Sequence, residues 1–316
     1  MLRALPVMTL RIPGWLRAED AIAIAAAVLL VAAAGGRAVA EGLAINEADI
    51  WDFCFILAPL ALLSLLAALS YAIGGGLLAD VARQIGTFLR DWLPFLLLLM
   101  FYGAFRTQLY DVVHLPDRDR ELLAIDRAFL GETPAVAAQR LASTALTNVM
   151  SLAYFLHIAL PPVIAFLWYR RDRQVFREYL LAILLCTVLG AVGYLLVPAV
   201  GPQVAFPELF SVNLEGRLYA PVTGFIDATR APRDAFPSLH VALSTIVLVY
   251  AVRFGRRSAA VTIPLVLANW LSTIYLRYHY LVDVVAGWSL LVVVPMARCL
   301  LGIERRLKAP PAAPAS

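Results

Sequence analysis

Two histidines and a carboxylate head apolar runs in this chain in a pattern that can do chemistry. Ala235-Phe236-Pro237-Ser238-Leu239-His240 opens one run, and Arg277-Tyr278-His279-Tyr280-Leu281-Val282-Asp283 opens another. His279 and Asp283 are four residues apart, which on a helix places them on one face, one turn apart. A carboxylate so placed accepts from one ring nitrogen, fixes the tautomer, and leaves the other nitrogen as a nucleophile or base. Pro237-Ser238 is a helix-start signal. His240 then falls in a first turn, where free backbone N–H groups and the helix dipole favour an anion. Ionisable groups within a membrane or at its edge mark functional sites, because burial in hydrocarbon is costly unless a partner is supplied. Two histidines at helix starts, one beside an anion-binding helix end, point to phosphoryl transfer.

The elements that must position these residues are membrane spans. The 316 residues are 62% hydrophobic and 15% charged, with mean hydropathy +0.80. Apolar runs fall at about 21–40, 51–73, 92–110, 149–169, 179–198, 238–252, 258–276 and 280–300, each near the ~20 residues that a spanning helix needs. The expectation is an all-α, polytopic transmembrane helix bundle of about eight spans with an interfacial helical segment. Residues 1–20 read as a cytoplasmic arm, 21–110 as N-terminal transmembrane helices and 111–148 as an interfacial, outward-facing segment. Residues 149–303 read as the catalytic transmembrane core, and 304–316 as a cytoplasmic tail. Within 111–148, the spacing of Leu122, Leu123, Ile125, Phe129 and Leu130 is that of an amphipathic helix lying in the interface. Residues 199–237 form a loop too long to serve as connection alone. Gly74-Gly75-Gly76 reads as a turn. Ala38-Val39-Ala40 has the form of a signal-peptidase site, but Glu19, Asp20 and Arg37 suit a cleaved leader badly, so the first run is read as a span.

With eight spans and both termini cytoplasmic, the short inner segments hold 16 of the 26 basic residues, against 10 in the longer outer ones. Only seven of the 22 acidic residues lie inside. That asymmetry is what the positive-inside rule requires. It puts His240, His279 and the 199–237 loop on the extracytoplasmic side, and the expected location is a plasma (inner) membrane. Two spans lie between the start of the His240 run and the start of the His279 run, so both histidines reach the same face.

The pairing of Pro237-Ser238-x-His240 with His279-x-x-x-Asp283 about forty residues later resembles the type 2 phosphatidic acid phosphatase superfamily. Leu239, where many members carry Gly, and Gly201-Pro202 through Phe206-Pro207 are more similar to the branch containing inositol phosphorylceramide synthase, as is Ile125-Asp126 through Gly131 and Pro134. The resemblance covers roughly residues 100–300. It implies a membrane-embedded lipid phosphotransferase working through a phosphohistidine, with His279 as nucleophile oriented by Asp283 and His240 as general acid and base. The alternative is a lipid phosphate or pyrophosphate phosphatase with water as acceptor. A non-catalytic transporter or scaffold on the same fold is a further alternative, against which the intact histidine–aspartate pair speaks.

The phosphate clamp departs from the family pattern. The chain has no Lys-x₆-Arg-Pro, and Ser272 and Thr273 stand where most members carry Ser-Arg before the second histidine. Its single lysine is Lys308, so any clamp in the body of the protein is built from arginine, which suits bidentate contact with phosphate oxygens. Arg277, Arg233 and Arg230 are the candidates, with Ser238 at the helix start. His114 and His157 read as interfacial residues with satisfied rings, having no carboxylate at a useful spacing. The tyrosines around the motif read as belt or packing residues. Cys54, Cys186 and Cys299 fall in apolar runs and read as buried small hydrophobes, with no spacing that suggests a metal. The expected partners are a lipid phosphoester substrate, a hydroxyl acceptor and membrane lipids. No nucleic acid, metal or cofactor is expected.

Overall fold

The structure is a computed structural model that describes residues 17–25, 28, 65, 77–104, 115–229 and 231–308. The first two expected spans, the glycine turn at 74–76, His114, Arg230, Cys54 and the last eight residues lie outside the described residues, wholly or in large part. The described chain is helical, and its single β-bridge, Ala199 with Asp234, is isolated. In order, the main helices are α1 (Leu77–Ala104), α2 (Asp119–Leu130), α3 (Pro134–Ala138), α4 (Thr144–Arg171), α5 (Arg173–Leu196), α6 (Pro202–Ala205), α7 (Tyr219–Thr229), α8 (Leu239–Phe254), α9 (Arg256–Tyr275), α10 (Leu281–Ser289) and α11 (Val293–Lys308). A 3₁₀ turn, Leu290–Val292, joins α10 to α11, so the two make one apolar passage of 28 residues. Four passages among the described residues are long and apolar enough to cross a membrane, and α8 is a shorter apolar helix.

α5 is the central helix. Two-thirds of its apolar stretch is buried (67%), against 33% for each of the other three long passages. It is apolar all round, which is the pattern of a helix enclosed by others. α4, α8 and α11 pack against it, and its core contacts include Phe176, Tyr179, Leu181, Ile183 and Leu184. The outward faces of α4 and α9 leave Val149, Leu152, Val163, Val261 and Leu271 exposed, as helices bordering lipid do.

The two ends of the bundle differ in charge. At one end, Arg177 donates to Glu19 at 2.6 and 2.9 Å and to Glu304 at 2.8 Å, and Glu178 accepts from Tyr250, Arg253 and Arg298. The turns 171–173 and 254–256 are also there. The opposite end carries α2, α3, the 199–237 segment and residues 276–280. α7 and the short α6 occupy much of 199–237, so that segment is a folded cover where the sequence reading expected a loop. α1 begins fifteen residues before the expected start of the third span, because Leu77 to Asp91 continues the helix with Trp92 packed on Phe176 and Tyr169. α4 begins at Thr144, where Ser143 caps it by accepting from Leu146 N at 3.3 Å. This helix therefore begins about five residues before the expected start of its span. Cys186 is buried, whereas Cys299 is exposed on α11, where the sequence reading expected burial.

Candidate active site

The starts of α8 and α10 meet at the end of the bundle that carries the 199–237 cover. Ser238 N donates to the carbonyl of Asp283 at 3.0 Å. The approach is this close because small residues line it. A Cβ on Gly287 would stand 2.5 Å from Ser238 O, and one on Gly193 would stand 2.3 Å from Pro237 Cδ. Pro237-Ser238 is thus wedged between α5 and α10. Ser238 is the N-cap of α8, with its Oγ accepting from Val241 N at 3.4 Å.

His279 lies outside the helix. α10 starts at Leu281 with Tyr280 as N-cap, so the shared helix face expected for His279 and Asp283 is replaced by a turn. In it the N–H groups of Tyr278 and His279 both donate to Thr273 O, at 3.1 and 3.2 Å, and Tyr280 N donates to Asp283 Oδ2 at 2.9 Å. The acceptor of the first two bonds is the main-chain carbonyl of Thr273, so they do not depend on the side chain at 273, whose hydroxyl donates to Trp270 O at 2.7 Å. The ring is oriented chiefly by the main chain. His279 Nδ1 is 2.9 Å from Ala235 O and 3.4 Å from Asp283 Oδ2. A carbonyl can only accept, so Nδ1 carries the proton and Nε2 keeps its lone pair. The carboxylate, expected to accept from the ring, stands behind the carbonyl as a second, longer contact.

His240, the second residue of α8, faces His279 with ring centroids 5.9 Å apart. Its ring is gripped by two neighbours on α4: Tyr154 at 4.2 Å and His157 at 3.7 Å between centroids. Its Nε2 has no hydrogen-bond partner among the described residues. His157 is therefore part of this cluster and not the satisfied interfacial ring expected of it, although its Nδ1 does donate to Tyr154 O at 2.9 Å. Nothing in the sequence around His157 marks this; α4 brings it to α8 from 83 residues away.

The candidate cations divide. Arg233 is engaged with the Asp117 carboxylate and the Leu115 carbonyl, which ties the lead-in to α2 against the 231–235 turn. Arg277 is 8% exposed and sits in the left-handed region at φ 66°, a strained conformation for a side chain of this size and one that recurs at functional sites. It lies beyond the end of α9, which closes at Tyr275. Its guanidinium donates to Val212 O and lies 4.4 Å from the Phe210 ring, and burial holds its pKa below the usual arginine value. No carboxylate pairs with Arg277 among the described residues. Beside Tyr278 a cavity of about 460 Å³ opens, lined also by Gln203, Val204, Asp227 and Pro232.

A family model described as the PAP2 superfamily matches residues 120–297, more than half of the chain and all of the cluster just described. The chain belongs to the PAP2 superfamily. It is also similar to a protein of Bacteroides thetaiotaomicron named phosphoinositol dihydroceramide synthase, 26% identical over 145 residues, which are 39% of this chain and 45% of the relative. The match thus spans less than half of that relative's length. No solved structure matches. Within this PAP2 chain, the N–H groups of Leu239 and His240 find no acceptor among the described residues, whereas those at the start of α10 are taken by carboxylates. Donors for an anion are thus left open at α8 and closed at α10.

Two carboxylates of α2 also reach the cluster. Asp119 and Asp126 are buried on α2, and Tyr280, expected to be a belt or packing residue, is fully enclosed with its hydroxyl on Asp119 at 3.0 Å. A carboxylate oxygen accepts, so the Tyr280 hydroxyl is the donor in this bond. The five apolar residues Leu122, Leu123, Ile125, Phe129 and Leu130 mark α2 as amphipathic, but not what its buried face holds.

Proposed function

We propose that this PAP2 chain is a membrane-embedded phosphotransferase acting on lipid phosphoesters through a phosphohistidine. The observation that carries the reading is the proton placement on His279. A carbonyl at 2.9 Å holds the hydrogen on Nδ1 and leaves the Nε2 lone pair for phosphorus. In the first step Nε2 forms a bond to phosphorus as the bond to the leaving oxygen breaks. That oxygen takes a proton from His240. In the second step the neutral His240 removes the proton of an acceptor hydroxyl, whose oxygen bonds to phosphorus as the N–P bond breaks and its electron pair returns to Nε2. Asp283, 3.4 Å from Nδ1, offsets the positive charge the ring carries while phosphorylated.

The charge on the transferring group is met by the open N–H groups of Leu239 and His240 and by the Ser238 hydroxyl hydrogen, with Arg277 as the cation. A buried arginine without a carboxylate is poised for an anion. The outward segment and the 199–237 cover wall the site, and the exposed apolar faces of α4 and α9 let a lipid reach it from the bilayer. The arginine-rich end of the bundle supports both termini being cytoplasmic and the site being extracytoplasmic. The relative named as a phosphoinositol dihydroceramide synthase supports transfer to a lipid hydroxyl over transfer to water.

The test is to offer purified protein a radiolabelled lipid phosphoester, quench, and look for acid-labile label. Wild type should carry it and His279→Ala should not; equal labelling of both would sink the mechanism. Adding alcohol or lipid-hydroxyl acceptors to the same reaction should divert label from free phosphate to a new ester.

A further inference from the structure

The proposed chemistry leaves two buried carboxylates without a task. Asp119 and Asp126 are 4% and 2% exposed, and their spacing of seven residues, two helical turns, puts both on the inner face of α2. Burying a carboxylate is expensive unless donors surround it, and here they do. Asp126 accepts from Leu281 N at 3.0 Å, Val282 N at 3.1 Å and Thr133 Oγ1 at 2.8 Å. Asp119 accepts from Val200 N at 3.0 Å, Gly201 N at 2.9 Å and Tyr280 Oη at 3.0 Å.

These bonds finish a helix end that its own sequence leaves open. The N-cap position of α10 is Tyr280, whose side chain has no capping carbonyl or short hydroxyl arm. Asp283 reaches back for Tyr280 N, and the next two N–H groups, of Leu281 and Val282, would be orphans. Asp126, from a helix 155 residues away in sequence, takes both. The residue immediately before this imported cap is His279. Where α10 begins decides where the His279 ring stands relative to Ala235 O and His240. The outer face of α2 is apolar and exposed at Phe129 and Leu130, whereas Leu122 and Leu123 on its inner face pack in one cluster with Ala199, Ala235 and Tyr280.

We propose that Asp126, seconded by Asp119, is a positioning residue for His279: α2 is an external cap that fixes the start of α10 and thereby the place of the nucleophilic nitrogen. The proposal rests on His279 being the nucleophile. Asp126→Asn keeps the size but turns one acceptor oxygen into a donor facing backbone N–H or the Thr133 hydroxyl. Amide exchange, followed by mass spectrometry on peptides covering 279–283, should then quicken about tenfold or more, with α5 unchanged. Single-turnover phosphorylation of His279 should slow about tenfold or more while KM stays within about twofold, because a small displacement of a reacting atom costs rate before it costs binding. Asp126→Glu, which keeps charge and acceptors, should recover part of the rate. Faster exchange with a wild-type phosphorylation rate would reduce Asp126 to a stabilising cap and overturn the proposal, as would unchanged exchange. Should Asp126→Asn not fold, Asp119→Asn frees Tyr280 and the 200–201 turn and should show the same split between rate and KM; wild-type rates there would also overturn it. Unlabelled wild-type protein with intact exchange protection at 279–283 would instead sink the proposed reaction, and is distinguishable because exchange is read without turnover.

Discussion

A single methyl group added at Gly287 should separate the two halves of the site. Its Cβ would stand 2.5 Å from Ser238 O, 3.2 Å from Val241 Cβ and 3.4 Å from Ala242 N. The first and last are backbone atoms of the opening turn of α8, so no side chain can swing aside. A carbon needs roughly 3.3 Å from a carbonyl oxygen, so α8 must retreat by about 1 Å. That movement lengthens the 3.0 Å bond from Ser238 N to Asp283 O beyond hydrogen-bond range. It also carries His240 away from His279, across a gap that is already 5.9 Å between ring centroids. Misplacement on this scale costs about 10²-fold in rate, and forcing a methyl into a packed contact costs about 1–3 kcal/mol of stability. Gly287→Ala should therefore fold with a lowered melting temperature and turn over about 100-fold more slowly. Gly224→Ala is the control, since nothing lies within 4 Å of its added Cβ. The assay is release of product from a short-chain lipid phosphoester by protein in detergent or nanodiscs, paired with a thermal melt. A Gly287→Ala protein with wild-type kcat would refute the reasoning that contact between the helix starts sets the site.

Two more outcomes follow from the same geometry. Arg277→Ala should lower kcat/KM by roughly 10²-fold, as loss of a donor to transition-state charge does, and Arg277→Lys should restore only part of it because the planar fork is lost; near-wild-type activity of the alanine variant on a soluble phosphoester would remove Arg277 from the clamp. For sidedness, single cysteines at Ser211 and Ser258, in a background without Cys54, Cys186 and Cys299, should differ toward an impermeant thiol reagent added outside: position 211 reacts and position 258 does not, and the reverse pattern would overturn the orientation.

Much of the architecture follows from local sequence. Hydrophobic runs place α4, α5, α8, α9 and the α10–α11 passage within a few residues, because a bilayer imposes length and composition on each span separately. Pro237-Ser238 marks the start of α8 for the same local reason: a proline turn followed by a side-chain cap is satisfied by neighbours in the chain. The amphipathic spacing of Leu122 to Leu130 likewise identifies α2. The rare histidines and Asp283 stand out because polar groups in so apolar a chain must be matched.

What the sequence could not determine is which residues complete one another across the bundle. Spacing of four suggested a helical pair for His279 and Asp283, yet the helix begins after His279, and a carbonyl from 44 residues away holds its ring. His157 carries no local sign of its contact with His240, which exists only because α4 crosses α8 at that turn. Whether α9 reaches Arg277 is not legible in the sequence; the helix ends at Tyr275, and Arg277 itself takes the left-handed conformation just beyond it. The cap of α10 is supplied by Asp126 on α2. Each of these depends on satisfying a donor, an acceptor or a charge with a partner distant in sequence. Periodicity reports which face of a helix is buried, but the partner waiting there is decided only when the helices pack.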